Sequence, residues 1–279
     1  MRIDLHTHSD ASDGTDRPAG VVAAAAAAGL DVVGLTDHDT TAGWEEATAA
    51  ARHHGVALVR GIELTARAAG RSVHVLAYLP DPEAPGLVDL LDRARTERDG
   101  RAREMVDRLA ADLPITWEDV VAHTGPGATV GRPHIADALV GLGLVADRGE
   151  AFASLLATGS RYHVPHRAPS ATAVVAAVRA AGGVPVVAHP GAVDRGEALA
   201  PETLEELVDA GLAGIEVDHA EHDGATRARL REFARRTGLL VTGASDYHGA
   251  GKPNRIGENT TVPEVYEAIV AAGRIEVVS

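Results

Sequence analysis

Residues 2–8 read Arg2-Ile3-Asp4-Leu5-His6-Thr7-His8, and they decide how the rest of the chain is read. A short apolar run, Arg2–Leu5, ends in a dense polar cluster, with Asp13 close behind. His6 and His8 lie two apart in an extended segment, so both side chains point to one face. The same pattern of β-branched run, polar cluster and Ala-rich helical stretch recurs along the chain. Further strands are expected at Val32–Thr36, Ala57–Ile62, Val73–Tyr78, Val184–Ala188, Gly214–Val217 and Leu239–Thr242. Helices are expected near Arg17–Ala28, Gly43–His54, Ala171–Ala181, Glu202–Ala210 and Ala225–Thr237, several closed by glycines such as Gly55 and Gly238. Continuous apolar strands alternating with helices indicate an α/β fold around a parallel sheet buried on both faces.

One interval breaks the rhythm. About a hundred residues separate Tyr78 from Val184, far more than a βα crossover needs. Helical segments are expected there at Gly86–Leu113, Thr116–His123, Arg132–Leu142 and Asp147–Thr158, with Thr116 and Asp119 resembling an acidic capping box. The expected organisation is a catalytic β/α domain over 1–85 and 168–279, and a helical insertion over 86–167 lying above the active-site end.

The strand ends carry the chemistry. After His6, His8 and Asp13 come Thr36-Asp37-His38-Asp39, Glu63, His74, His189-Pro190, Asp218-His219 and Ser245-Asp246-Tyr247-His248. Functional groups gather at the C-terminal ends of parallel strands, and nearly every strand here is expected to deliver an imidazole or carboxylate to that end. Imidazoles beside carboxylates, without thiolates, suit zinc, manganese or iron. The candidates exceed what one ion can use, so two or three divalent ions, bridged by a carboxylate such as Glu63, are the economical expectation. His53, His54, His123, His163 and His222 are expected to be solvated helix or loop residues.

Composition narrows the function. Cysteine is absent, which removes disulfides, thiolate nucleophiles and Cys-ligated zinc together. With no signal-peptide pattern and no apolar stretch of spanning length, a soluble cytoplasmic protein without membrane contact is expected. The formal net charge of −14 speaks against binding duplex DNA, which relies on a basic face. A small anionic ligand, or the end of a short oligonucleotide, could still be held by local arginines and metal ions. Oligomeric state is not legible.

These clustered motifs (HxH, Asp, His, Glu, His, His and DxH) resemble the PHP family, the polymerase and histidinol phosphatase domains, over the whole chain. The insertion resembles that of stand-alone members acting on nucleotides and the 5′ ends of short RNA. The resemblance implies a distorted seven-stranded (β/α)7 barrel and metal-dependent phosphoesterase activity. It implies that His6 and His8 bind one ion with Glu63 and Asp246, that Asp13, His38 and His248 bind a second, and that Glu63, His74 and His189 complete a third. It also implies substrate contacts from Arg132 and His134 in Gly131-Arg132-Pro133-His134. Arg161 is a second candidate, and Asn254 and Arg255 could reach a phosphate.

The expected reaction is metal-assisted, in-line hydrolysis of a phosphate monoester, with charge on phosphorus neutralised by ions and arginines. The leaving hydroxyl could be protonated by His189, His219, Asp39 or metal-bound water. The favoured substrate is a nucleoside 3′,5′-bisphosphate cut at the 3′ ester to give AMP, with 5′-to-3′ trimming of short RNA. A small-metabolite phosphatase of the histidinol-phosphate type is the alternative, and a non-catalytic, metal-stabilised module is the alternative of another class. Amidohydrolases share the opening HxH, but many bridge their ions with a carboxylated lysine at the end of strand four, where this chain offers His74. Its only lysine, Lys252, follows strand seven.

Overall fold

Every residue of β1 (Ile3–Thr7) is buried, as a strand covered on both faces must be. The structure is a computed structural model that describes residues 1–125, 127–192 and 198–279. It continues with α1 (Pro18–Ala27), β2 (Val32–Leu35), α2 (Trp44–His54), β3 (Ala57–Ala68) and β4 (Arg71–Tyr78). Four helices follow, α3 (Pro85–Ala110), α4 (Trp117–Val121), α5 (Arg132–Gly141) and α6 (Arg148–Ala153). The chain then runs through α7 (Ala171–Ala180), β5 (Val184–Ala188), α8 (Pro201–Asp209), β6 (Gly214–Asp218), α9 (Gly224–Thr237), β7 (Leu240–Gly243) and α10 (Pro263–Ala272). Gly55 and Gly238 close α2 and α9 in the left-handed conformation expected of them.

The seven strands form one sheet in chain order. Thr7 bridges Tyr247 beyond the end of β7, and the His8 N–H donates to the Tyr247 carbonyl at 2.8 Å. These contacts bring the two ends of the sheet together, so it is nearly closed into a barrel flanked by helices.

The sheet is not all parallel. β1, β2 and β3 run parallel, as do β5, β6 and β7, but β4 is antiparallel to both neighbours. The cause is local: Ala69 (φ 47°) and Gly70 (φ 76°) form a two-residue turn with both residues left-handed, the geometry that joins antiparallel strands directly. β3 therefore runs on to Ala68 instead of ending at Ile62, and β4 begins at Arg71. The reversal brings the early residues of β4 to the C-terminal end of its neighbour, with His74 opposite Thr65 and Ala188.

Apolar packing assigns α3 two partners. Leu87, Leu90 and Leu91 join the cluster that seats α7, α8 and α9 on the sheet. Ala102, Met105, Val106 and Leu109, further along the same helix, join a second cluster with Ile135, Leu139 and Leu156. Thr116 and Asp119 form the expected reciprocal cap of α4. Among the described residues no helix is long and apolar enough to cross a membrane.

Candidate metal centre

The strands deliver buried side chains to one end of the barrel, and two buried carboxylates lock the connecting loops beneath them. Asp37 accepts from Ser9 N–H (2.7 Å), Ser9 Oγ (2.6 Å) and Ser12 Oγ (2.6 Å), pinning the loop between His8 and Asp13. Asp4 accepts from Ser245 N–H at 3.0 Å and Gly257 N–H at 2.8 Å, tying the loop after β7 to β1. Gly14 is required in the first of these loops, because a Cβ there would lie 2.5 Å from the His8 carbonyl oxygen.

Three polar residues past strand ends hold left-handed backbone without being glycine: Asp39 (φ 51°), His189 (φ 29°) and Asp246 (φ 53°). Such positions cost on the order of 1–3 kcal/mol each and persist where surrounding contacts over-determine them. Asp39 accepts from Thr65 N–H and Oγ1, both at 2.8 Å, and from Arg98 Nε at 2.6 Å. The His189 N–H donates to Glu216 Oε2 at 2.8 Å. Asp246 accepts from Lys252 Nζ at 2.7 Å.

The potential ligand atoms fall into three overlapping groups, each within 4.8 Å: His6, His8, Glu63 and Asp246; His8, Asp13, His38 and His248; and His38, Glu63 and His74. His189 adds Nε2 at 3.1 Å from Glu63 Oε1. In the first group His6 Nε2 lies 3.0 Å from His8 Nε2, and Glu63 Oε2 lies 3.2 and 3.0 Å from these two nitrogens. Asp246 Oδ1 is 3.5 and 3.4 Å from them. Ligands about 2.0–2.2 Å from a tetrahedral ion are spaced about 3.3–3.6 Å from one another, so these atoms are close to a ready-made cage.

The proton positions fit the same role. His6 Nδ1 lies 3.1 Å from Glu216 Oε1, so it donates there and turns the Nε2 lone pair toward the cluster, the arrangement in which a carboxylate orients a ligating imidazole. Among the described residues His38 Nδ1 and His248 Nε2 are buried without a hydrogen bond, 3.3 Å from Glu63 Oε2 and 3.2 Å from Asp13 Oδ1 respectively. Buried polar atoms are rarely left so, and in ligands they are accounted for.

Electrostatics favour added positive charge. Burial raises the carboxyls of Asp13, Glu63 and Asp246, but the surrounding imidazoles, and Lys252 at Asp246, hold all three well below the usual range. Burial also opposes charge on His8, yet Asp246 and Glu63 lift it to about 9. Burial, Lys252 and His8 press His248 down to about 4, leaving a neutral donor.

The other expected residues separate by position. His134 is buried, its Nδ1 accepting from Gly131 N–H at 3.1 Å. Arg132 lies over the Phe152 ring, 5.4 Å from its centroid, and donates to the Leu156 carbonyl at 3.4 Å. Arg161 is 70 % exposed and paired with Asp112. Asn254 braces the Ser245 carbonyl at 2.7 Å. Arg255 is 88 % exposed. His219 is buried with Nε2 3.5 Å from Asp246 Oδ2.

His222 is a correction: it is buried rather than solvated, its Nε2 accepting a hydrogen bond from Gly191 N–H at 3.0 Å and its Nδ1 donating one to the Val217 carbonyl at 2.9 Å. Glu216 and Arg98 escaped the sequence reading. Glu216 had a signal, a lone carboxylate inside an apolar strand. Arg98 had none, being one of many charges on a long helix.

Replacing Glu216 by Gln is expected to weaken divalent-metal affinity about 10- to 100-fold while the chain stays folded. Calorimetric manganese titration alongside circular dichroism measures it, and wild-type affinity would remove Glu216 from the centre.

The PHP domain profile matches residues 4–116. The chain is 34 % identical over 269 residues to the 3′,5′-nucleoside bisphosphate phosphatase of Chromobacterium violaceum, covering 96 % of this chain and 94 % of that one. It is 31 % identical over 248 residues to a 5′-3′ exoribonuclease of Haemophilus influenzae, covering 88 % and 90 %. A crystal structure from Bifidobacterium adolescentis, provisionally assigned as a metal-dependent phosphoesterase, superposes with a TM-score of 0.95 at 44 % identity, covering 98 % of this chain and 96 % of that one. A buried His, Asp and Glu cage at one end of a seven-stranded barrel, with full-length relatives of this kind, places the chain in the PHP family of metal-dependent phosphoesterases.

Proposed function

We propose that this chain is a cytoplasmic 3′,5′-nucleoside bisphosphate phosphatase that removes the 3′-phosphate to leave a 5′-monophosphate, and that it also trims short RNA from the 5′ end. The observation that carries the reading is the near-complete alignment with the Chromobacterium violaceum phosphatase, combined with a buried cage retaining all its donors. The Haemophilus influenzae relative motivates the RNA activity. A non-catalytic module is disfavoured by the same complete donor set. A carboxylated-lysine centre is disfavoured because Lys252 pairs with Asp246 and β4 offers His74.

The ligands we assign are His6, His8, Glu63 and Asp246 for one ion, Asp13, His38 and His248 for a second, and Glu63, His74 and His189 for a third. Manganese, zinc and iron all suit this donor set. Divalent ions bound there would supply positive charge to the phosphoryl oxygens and acidify water. The chain's own groups do the rest. Glu216 fixes the His6 tautomer through Nδ1. Arg98, held by Asp39 and Thr65, adds a guanidinium at the rim of the centre. Asp39 already accepts three hydrogen bonds, so it suits positioning Arg98 better than giving up a proton.

His219 is the best-placed proton donor. Glu221 N–H donates to its Nδ1 at 3.1 Å, so the neutral ring carries its proton on Nε2, the atom facing the cluster. His189, with Nε2 toward Glu63, is assigned as a ligand first. Arg132 and His134, in the segment that resembles a substrate-contacting one, are the substrate contacts we assign, while Asn254 holds the loop and Arg161 and Arg255 stay at the surface.

Manganese-loaded protein should release phosphate from adenosine 3′,5′-bisphosphate and yield AMP, with turnover abolished by EDTA. Chromatography of the products against AMP, histidinol phosphate and a short 5′-phosphorylated RNA as rival substrates checks this. Preferred turnover of histidinol phosphate, or turnover undiminished by EDTA, would overturn the reading. His219→Asn is expected to lower kcat about 10²- to 10⁴-fold with KM and bound metal little altered. An unchanged kcat would exclude His219 as the donor.

A further inference from the structure

His222 is a buried imidazole that neither the metal cage nor the proposed chemistry uses. It lies in the turn 219–222 after β6, which its own N–H closes on the His219 carbonyl at 3.1 Å. Its Nδ1 faces the Val217 carbonyl at 2.9 Å, and its Nε2 faces the Gly191 N–H at 3.0 Å. A carbonyl only accepts and an N–H only donates, so the ring is neutral and carries its proton on Nδ1. Burial lowers His222 in the same direction.

Both turns that meet at this ring carry residues of the centre. The turn after β5 starts at His189, whose left-handed backbone (φ 29°) is held at its N–H by Glu216 Oε2 at 2.8 Å. Ala192 N–H closes that turn on the His189 carbonyl at 3.1 Å, and between them the Gly191 N–H points at His222. Gly191 allows this approach because it has no side chain. A Cβ there would lie 2.3 Å from Thr226 Cγ2 and 3.1 Å from both Cδ2 and Nε2 of His222. On the other side, Arg227 donates to the His222 carbonyl through Nε at 3.0 Å and to the His219 carbonyl through Nη2 at 2.7 Å. The turn that presents His219 is thus fixed around the same ring. The three imidazoles stand in a row, with ring centroids 5.2 Å apart for His189 and His219 and 5.5 Å apart for His219 and His222.

We infer that His222 is a positioning residue, which fixes the His189 turn against the His219 turn and so sets a metal ligand at its distance from the proton donor. This rests on the proposed assignments of His189 as a ligand and His219 as the donor. Left-handed backbone at a histidine persists where surrounding contacts over-determine it. Glu216 acts at the His189 N–H itself, and His222 acts two residues on, at Gly191. Loss of the Gly191 bond lets the turn relax and carries His189 Nε2 away from Glu63 Oε1, now 3.1 Å distant. The donors on β1, β3 and the loops after β2 and β7 are held by other contacts, so the effect falls on the ion that His189 holds.

The test compares His222→Asn with His222→Gln in the full chain. Asn places an amide nitrogen near the position of Nδ1 and keeps the Val217 bond, whereas Gln places an amide oxygen near the position of Nε2 and keeps the Gly191 bond. Calorimetric manganese titration of His222→Asn is expected to show one class of site weakened about 10-fold and the others unchanged, with His222→Gln close to wild type. Hydrogen exchange at the Gly191 amide, measured without metal, is expected to be about 10-fold faster in His222→Asn than in His222→Gln. Wild-type affinities in His222→Asn, or equal losses in the two variants, would overturn the positioning role, and equal losses would make His222 a packing residue only. If the wild type binds no manganese, the metal assignment fails separately, and equal exchange at Gly191 in the two variants would still overturn the role of His222. If His222→Asn does not fold, Gly191→Ala replaces it, since its Cβ displaces the same ring, and the same outcomes decide.

Discussion

The structure depends on the Glu63 carboxylate, buried within β3 and faced by the imidazoles of His6, His8, His38, His74 and His189. An anion with no access to water is costly unless positive charge or strong donors surround it. Here Glu63 shares its enclosure with Asp13, Asp246 and Glu216, while His38 and His248 are held neutral by burial. Metal cations could balance such a cluster, and the spacing of its donor atoms is close to what metal ligands need. The barrel, the loops and the hairpin between β3 and β4 all act to hold that spacing.

Geometry explains why the barrel is distorted. A regular parallel strand would deliver its polar residue at its C-terminal end, yet His74 lies near the beginning of β4. Reversing β4 through the Ala69-Gly70 turn brings His74 Nδ1 to 2.6 Å from Glu63 Oε1. The left-handed residues Asp39, His189 and Asp246 solve the same problem at three other strand ends, aiming side chains inward at a backbone cost that Thr65, Glu216 and Lys252 help to offset. α3 links this centre to the helical layer, its early leucines packed on the barrel and its later residues in a separate apolar cluster, with Arg98 between them.

Much of this was legible in the sequence. The alternation of apolar runs and Ala-rich helices gave the seven strands, and polar clusters at their ends picked out the donors that the fold brings together. The spacing of His6 and His8 was sufficient to put them on one face. The reversal of β4 was not legible, because Ala69-Gly70 is a weak turn signal and the strand's own pattern is the same in either direction. Arg98 was lost among the alternating charges of α3, where sequence cannot tell a solvated face from one aimed at a site. His222 was misjudged because burial of a loop histidine depends on its partners, Gly191 from a distant loop and the nearby Val217 carbonyl, whose approach is visible only in the fold.

The central claim is that the donors around Glu63 hold divalent cations, with Glu63 shared between them. Anomalous diffraction at the manganese edge from crystals grown with manganese tests it most directly. The expected result is at least two peaks in the cage, each within bonding distance of a Glu63 oxygen and of the imidazoles named above. Manganese found only at sites away from Glu63, or no anomalous density in the cage, would contradict the account.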